Sequence, residues 1–282
     1  MKIYAEVTDK IIAELERGSA PWIKPWNAGQ SADHNLVSGK AYQGVNRIIL
    51  AIGAMAGGFT SSTWATYKQF AAAGAQVRKG EKSTHIIYFQ PVVKKASGPE
   101  GEDETFALMK SYCVFNADQV DGLPVKESEP VKEFEALAHC EQTIAGTGAI
   151  ITHSGDQAFY RPSTDSINLP QKTAFDSPAN YYATAFHELT HWTGAKTRLD
   201  RVQLGKYSKP EYAFEELVAE MGAAFLCAEH GIAGDLRHAG YIQGWLQCLK
   251  NDSKAIFKAA ALAEKAAGYI TKSAQVEDKM AA

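Results

Sequence analysis

Cysteine is scarce in this chain of 282 residues, and its placement excludes the roles cysteine most often plays. The four residues, Cys113, Cys140, Cys227 and Cys248, include no C-x-x-C pair, so neither a thiolate-bound zinc nor a dithiol redox motif is available. They read as reduced core residues of a cytoplasmic protein. Long apolar runs are also missing. The longest, Ile48 to Phe59, is about a dozen residues, rich in Gly and Ala, and too short to span a bilayer, so no membrane partner is expected. Met1 to Arg17 alternates charge with apolar residues and does not have the form of a secretory signal. The net charge of −3 is too small to name a partner from the overall balance. No internal repeat is present, and no Ser-His-Asp or Cys-His arrangement suggests nucleophilic catalysis.

What is present is His187-Glu188-Leu189-Thr190-His191. Residues four apart on a helix stack on one face, so both imidazoles can hold one Zn²⁺ while Glu188 faces a water on the metal. A catalytic site needs a third protein ligand and an open position. Tyr212-Ala-Phe-Glu-Glu-Leu-Val-Ala-Glu220 supplies candidates on the next expected helix. Carboxylates on a mostly apolar helical face are costly to bury unless they are paired or bind metal. Glu216 is assigned as the third ligand and Glu220, one turn on, as the carboxylate that orients a ligating imidazole. Glu215 and Glu220 remain alternatives for the ligand itself. Glu188 is then the general base. The strand Ser166 to Leu169 is expected to be a sheet edge able to hold an extended peptide, and Trp192 is expected in the core.

The sequence predicts an α+β protein with a boundary in the polar stretch between Asn116 and Glu133, giving domains 1–124 and 125–282. In the first, helices are expected over Tyr4–Arg17, from Asn46 through Ala56, and over Trp64–Ala73 capped by Thr63. Two strand-like runs, Thr84–Val93 and Phe106–Phe115, flank an acidic loop and are expected to pair. In the second, a helix near Val131–Ile144 precedes short strands at Ile150–His153, Ala158–Tyr160 and Ser166–Leu169. The H-E-x-x-H helix follows, then helices near Pro210–His230, Asp235–Leu249 and Lys254–Ile270.

Charge is unevenly spread. Leu36 to Lys95 holds eight cations against one acid, Glu81, a local charge of +7. The same window carries Tyr42, Phe59, Trp64, Tyr67, Phe70, Tyr88 and Phe89. Cations neutralise phosphates and rings stack on unpaired bases, a combination suited to single-stranded nucleic acid. The candidate DNA-binding residues are Arg47, Trp64, Tyr67, Lys68, Arg78, Lys79 and Lys82. Trp22 and Trp26 join them, set between Pro21 and Pro25 as a rigid stacking platform or an interdomain contact.

Ordered blocks along nearly the whole chain resemble the ArdC-type antirestriction family, also found at the N terminus of plasmid conjugative primases. In the first half these are Pro21-Trp-Ile-Lys-Pro-Trp26, Tyr42-Gln-Gly-Val-Asn-Arg47, Trp64-Ala-Thr-Tyr-Lys-Gln69, Gly74 to Lys82 and Val114 to Pro124. In the second they are His187-Glu-Leu-Thr-His-Trp-Thr-Gly194 and Tyr212 to Glu220. The resemblance implies a small α+β module that binds single-stranded DNA, followed by a zincin-like metallopeptidase domain. It also implies a role in shielding incoming conjugative plasmid DNA from host restriction, and it carries over His187, Glu188 and His191. Two other readings fit the same residues. One is a DNA-coating protein whose zinc is structural; the other is a regulatory protease acting on a host protein.

Overall fold

The computed structural model describes residues 2–18, 20, 32–94, 104–123, 133–201, 209–232 and 242–281. By contacts the chain divides into two units. One comprises Asp33–Tyr42 and Gly53–Lys126; the other comprises Met1–Ala32, Gln43–Ile52 and Glu127–Ala282. The sequence-based split at residue 124 did not anticipate that early segments group with the C-terminal residues.

Side-chain bonds explain that grouping. Helix α1 (Lys2–Glu16) ties to the end of the chain through Thr8 Oγ1, which donates to the Ser253 carbonyl at 2.8 Å, and through the Tyr4 and Phe257 rings, 4.6 Å apart. Near the start of helix α2 (Val45–Gly57), Arg47 is 8% exposed. It pairs with Glu229 at 3.1 Å and Glu264 at 3.4 Å, and donates to the Phe225 carbonyl at 3.0 Å.

The larger sheet of the first unit, the sheet unit, is four-stranded: β1 (His34–Asn35), β2 (Thr63–Ala65), β4 (Thr84–Lys94) and β5 (Glu104–Asn116), in the order β1-β2-β5-β4. β4 and β5 form the expected antiparallel hairpin, with Thr84 opposite Val114 and Lys94 opposite Glu104. Strand β3 (Gln76–Val77) pairs with β6 (Val120–Asp121). The expected helix from Trp64 begins later: Trp64 and Ala65 pair with Asn116 and Phe115 in the sheet, and helix α3 runs Tyr67–Ala72. The reason is the cap. Thr66 accepts from the Gln69 amide while the Gln69 side chain accepts from the Thr66 amide, a reciprocal box that starts the helix at Tyr67, three residues after Trp64. Ala65, Phe70, Ala75, Val77 and Val120 form the core beneath.

In the other unit, β7 (Ile150–His153), β8 (Phe159–Arg161) and β9 (Ser166–Leu169) form a sheet in the order β7-β9-β8. β9 is therefore central, parallel to β7 and antiparallel to β8, and its backbone bonds are taken on both sides. That overturns the expectation of a free edge at Ser166–Leu169; β7 and β8 flank it. Five helices complete the described unit beyond α1 and α2: α4 (Glu133–Ala145), α5 (Pro178–Thr193), α6 (Lys209–Glu229), α7 (Ile242–Asn251) and α8 (Ala255–Ala281). None of the described helices is long and apolar enough to cross a membrane.

The approach of α5 to α6 positions the site. Thr190, between the two histidines on α5, lies against Gly222 on α6; a Cβ added there would sit 2.6 Å from Thr190 Cγ2 and Oγ1. Only glycine lets the backbones come this close.

Candidate functional site

Helix α5 starts cleanly: Ser177 Oγ accepts from the Asn180 amide at 3.2 Å, and Pro178 occupies the first turn. One turn apart near its far end, His187 and His191 turn their Nε2 atoms toward each other at 3.1 Å. Glu216 of α6 closes the triangle, with Oε2 3.5 Å from His187 Nε2 and Oε1 3.4 Å from His191 Nε2. A tetrahedral zinc with bonds near 2.0–2.1 Å separates its ligand atoms by about 3.3 Å. The three donors, all within 4.8 Å of one another, thus fit a divalent metal in both spacing and chemistry.

The surrounding carboxylates are deeply placed: Glu188 is 7% exposed, Glu215 5%, Glu216 4% and Glu220 2%. Glu215 takes the orienting position at hydrogen-bond distance, its Oε1 3.2 Å from His191 Nδ1. Glu220 lies 4.0 Å from His187 Nδ1, within ion-pair reach, so each imidazole faces a carboxylate on the side away from Glu216. Such partners set the tautomer and basicity of a ligating histidine.

Arg201, which sequence reasoning missed, holds Glu215. Its Nε donates to Glu215 Oε2 at 2.9 Å and its Nη2 to Oε1 at 3.0 Å, a two-pronged bond. The same Nη2 donates to the Thr190 carbonyl at 2.6 Å. The turn after α5 brings Arg201 back: Leu199 and Arg201 amides bond the Thr193 and Gly194 carbonyls at 3.0 and 2.9 Å, with Asp200 at φ +47°. No spacing rule ties residue 201 to residue 215. Two arginines, Arg198 and Arg201, follow the H-E-x-x-H helix closely, and sequence alone does not say which one meets Glu215.

Electrostatics follow from this packing. Burial opposes a charged His191, but bonds to Glu215 and Glu216 outweigh it and push the imidazole up to about 10. Burial likewise opposes ionised Glu216 and Glu215, yet the histidines, and Arg201 for Glu215, hold both carboxyls below their ordinary range. Metal binding at His191 is therefore coupled to release of its proton.

Beside the cluster, Trp192 is 6% exposed, in keeping with a core role, and the Arg198 guanidinium lies 3.9 Å above its ring. Arg198 also pairs with Asp165, which in turn accepts from the Tyr160 hydroxyl at 2.8 Å. These residues pin the β8–β9 turn to the end of α5.

The DNA-binding candidates divide. Trp64 has no exposed surface; its Nε1 donates to Asp33 at 3.0 Å and its ring meets Phe59 edge-to-face. Stacking on a base would require unfolding the sheet, so this residue is corrected to core. Arg47 is corrected to a buried pin for the same reason: its guanidinium is already bonded to two carboxylates and a carbonyl. Tyr67, Lys68, Arg78, Lys79 and Lys82 are exposed. Tyr67, Arg78 and Lys79 border an open cleft of about 710 Å³ together with Gln76, Glu81 and Asp121. There Arg78 pairs with Glu81 at 2.9 Å and reaches Asp121 at 3.7 Å, which reduces its availability to a phosphate. Trp22 and Trp26 lie outside the described residues.

Comparison with known proteins assigns the class first. A family model described as "Zincin-like metallopeptidase" matches residues 138–262, and one described as "N-terminal domain of anti-restriction factor ArdC" matches residues 1–115. A crystal structure of the antirestriction ArdC protein from plasmid R388, metal-free, is 41% identical, with a TM-score of 0.84 over 98% of this chain and 99% of that one. The Mn(II)-bound structure of that protein gives 40% identity and a TM-score of 0.80, over 97% and 98% of the two chains. The uncharacterized protein y4eC of Sinorhizobium fredii is 38% identical over 95% of this chain and 91% of its own. Two Escherichia coli proteins named DNA primase TraC are 41% and 42% identical, but the chain spans only 19% and 27% of their lengths. The chain belongs to the ArdC antirestriction family, with an ArdC N-terminal domain and a zincin-like metallopeptidase domain.

Proposed function

We propose that this protein binds single-stranded DNA, protects incoming conjugative plasmid DNA from host restriction, and carries a zinc-dependent peptidase site. The observation that carries the peptidase reading is the His187–His191–Glu216 triangle with Glu188 on the same helix. A His₂Glu set suits zinc, which when bound would polarise a scissile carbonyl and make water acidic enough to attack near neutral pH. Glu188 is the proton carrier. Its carboxylate takes a proton from the attacking water and delivers it to the departing amine as the peptide C–N bond breaks. Glu215 and Glu220 keep the imidazoles turned inward, and Arg201 keeps Glu215 in place. The DNA reading rests on the +7 window and its aromatic residues, several of which are exposed.

The test pairs Glu188→Ala with three assays: cleavage of host-extract proteins, single-strand binding, and conjugation efficiency into a restricting host. Loss of cleavage and protection with DNA binding intact supports a peptidase used for protection. Protection that survives the substitution leaves a DNA-coating protein whose metal is structural. No cleavage by the unmodified protein with zinc or manganese rejects the peptidase assignment.

A further inference from the structure

We infer that single-stranded DNA stacks on the outer face of the β4–β5 hairpin, on Tyr88 and Tyr112, with Lys110 holding a phosphate. The inference rests on the single-strand reading above and gives it a place on the fold.

Register puts the three residues together. Tyr88 lies opposite Lys110, and Tyr112 lies opposite Ile86, two pairs further along. Cross-strand partners share a face, and positions two apart along a strand share it too, so all three side chains project from one side of the hairpin. Tyr88 is 52% exposed and Tyr112 is 44% exposed. Their centroids are 6.3 Å apart with ring planes at 74°. An edge-to-face pair covers one of its four ring faces with the partner's edge, so the pairing itself leaves ring surface for a base. A tyrosine pair placed only to stabilise the hairpin does not require that exposure.

The surroundings favour a polyanion with exposed bases over an apolar partner. Along the paired strands the charged residues are Lys94, Lys110 and Glu104, and Glu104 lies opposite Lys94 at the loop end, six pairs from Tyr88. Lys110 Nζ donates to Gln90 Oε1 at 2.8 Å, a neutral partner. Cations tracking a backbone beside sequence-tolerant aromatic platforms are the working parts of single-strand binding sites. Duplex bases are already stacked and offer these rings nothing. The cleft at Tyr67 is the competing location, but its principal cation, Arg78, is paired with Glu81.

The experiment is fluorescence anisotropy of the full chain with a labelled oligothymidylate across a salt series, with melting temperature recorded for every variant. Tyr88→Ala and Tyr112→Ala are each expected to weaken binding at least about fivefold. Phe at either position should keep the affinity. Leu, which fills space without a flat ring, should lose as much as Ala, so the outcome stays readable even if the alanine variants are unstable. Lys110→Ala should lower the log–log salt slope by about 0.7. Wild-type binding that survives both tyrosine replacements overturns the inference while the single-strand reading stands. Loss confined to Tyr67→Ala moves the site to the cleft and also overturns it. No binding by the unmodified protein removes both.

Discussion

The two units place their most informative side chains at opposite extremes of exposure. On α5 and α6, Glu188, Glu215, Glu216 and Glu220 are between 2% and 7% exposed, although carboxylates belong in water. In the sheet unit Tyr88 and Tyr112 are about half exposed, although rings that size are usually covered. In both places a residue type sits where its solvation disfavours it. The metal cluster, however, is over-determined: each ligand is held by a neighbour, and Glu215 is held in turn by Arg201. The hairpin face rests on register alone. Interlocked burial makes a site legible from spacing; surface exposure makes it legible only once the strands are paired.

The largest expected effect separates the two uses of aromatics. Trp64→Ala should cost about 3–5 kcal/mol of stability by urea denaturation, as expected for emptying a buried tryptophan site. Tyr112→Ala should stay within about 0.5 kcal/mol of wild type. Similar losses at both would erase the distinction between core and surface rings. Next, Glu216→Ala should weaken zinc and manganese binding by more than about a hundredfold in calorimetric titration, beyond what loss of an outer partner costs. If Glu220→Ala did that and Glu216→Ala did not, the third ligand would be Glu220. Arg201→Met touches no donor atom, yet it frees Glu215 and should cost about 10–100-fold in metal affinity. An unchanged affinity would show that His191 needs no outer support.

Gly222→Ala sharpens the comparison further, since it acts through helix spacing alone. Its Cβ would strike Thr190, and the overpacking should cost about 1–3 kcal/mol, with weaker metal binding alongside. Thr190→Ala in the same chain should recover most of both; without recovery, the strain lies elsewhere. The smallest effect is expected at Lys79, exposed and bordering the cleft, where alanine should leave stability within about 0.5 kcal/mol.

These contrasts explain what was legible beforehand. His187 and His191 were visible because helical periodicity fixes which side chains share a face, and that rule needs no knowledge of the fold; on α6 it grouped Glu216 with Glu220, and only the packing of α6 against α5 brings Glu216 to both histidines. The β4–β5 pairing was visible because two β-rich runs flank one polar loop. Arg201 was hidden because its contact depends on a turn that folds back onto α5. Trp64 was misread because composition cannot separate a ring in the core from one on the surface; the Thr66–Gln69 cap, which moves the helix start past it, was the overlooked local signal. Arg47 was counted as a surface cation because its carboxylate partners lie about 180 and 220 residues away. The supposed edge at Ser166–Leu169 failed because strand order is a tertiary property; β7 and β8 both claim that strand.

Thr190 joins two roles in one turn of helix. It lies between the metal-facing histidines in sequence, and it is the surface on which Gly222 rests. A cation drawing His187, His191 and Glu216 together therefore fastens the same seam that packs the core, so occupancy and cohesion are thermodynamically linked. A calorimeter would report it directly: chelation should lower the melting temperature of the helical unit and leave the sheet unit's transition where it was, so heat alone can gauge how full the site is.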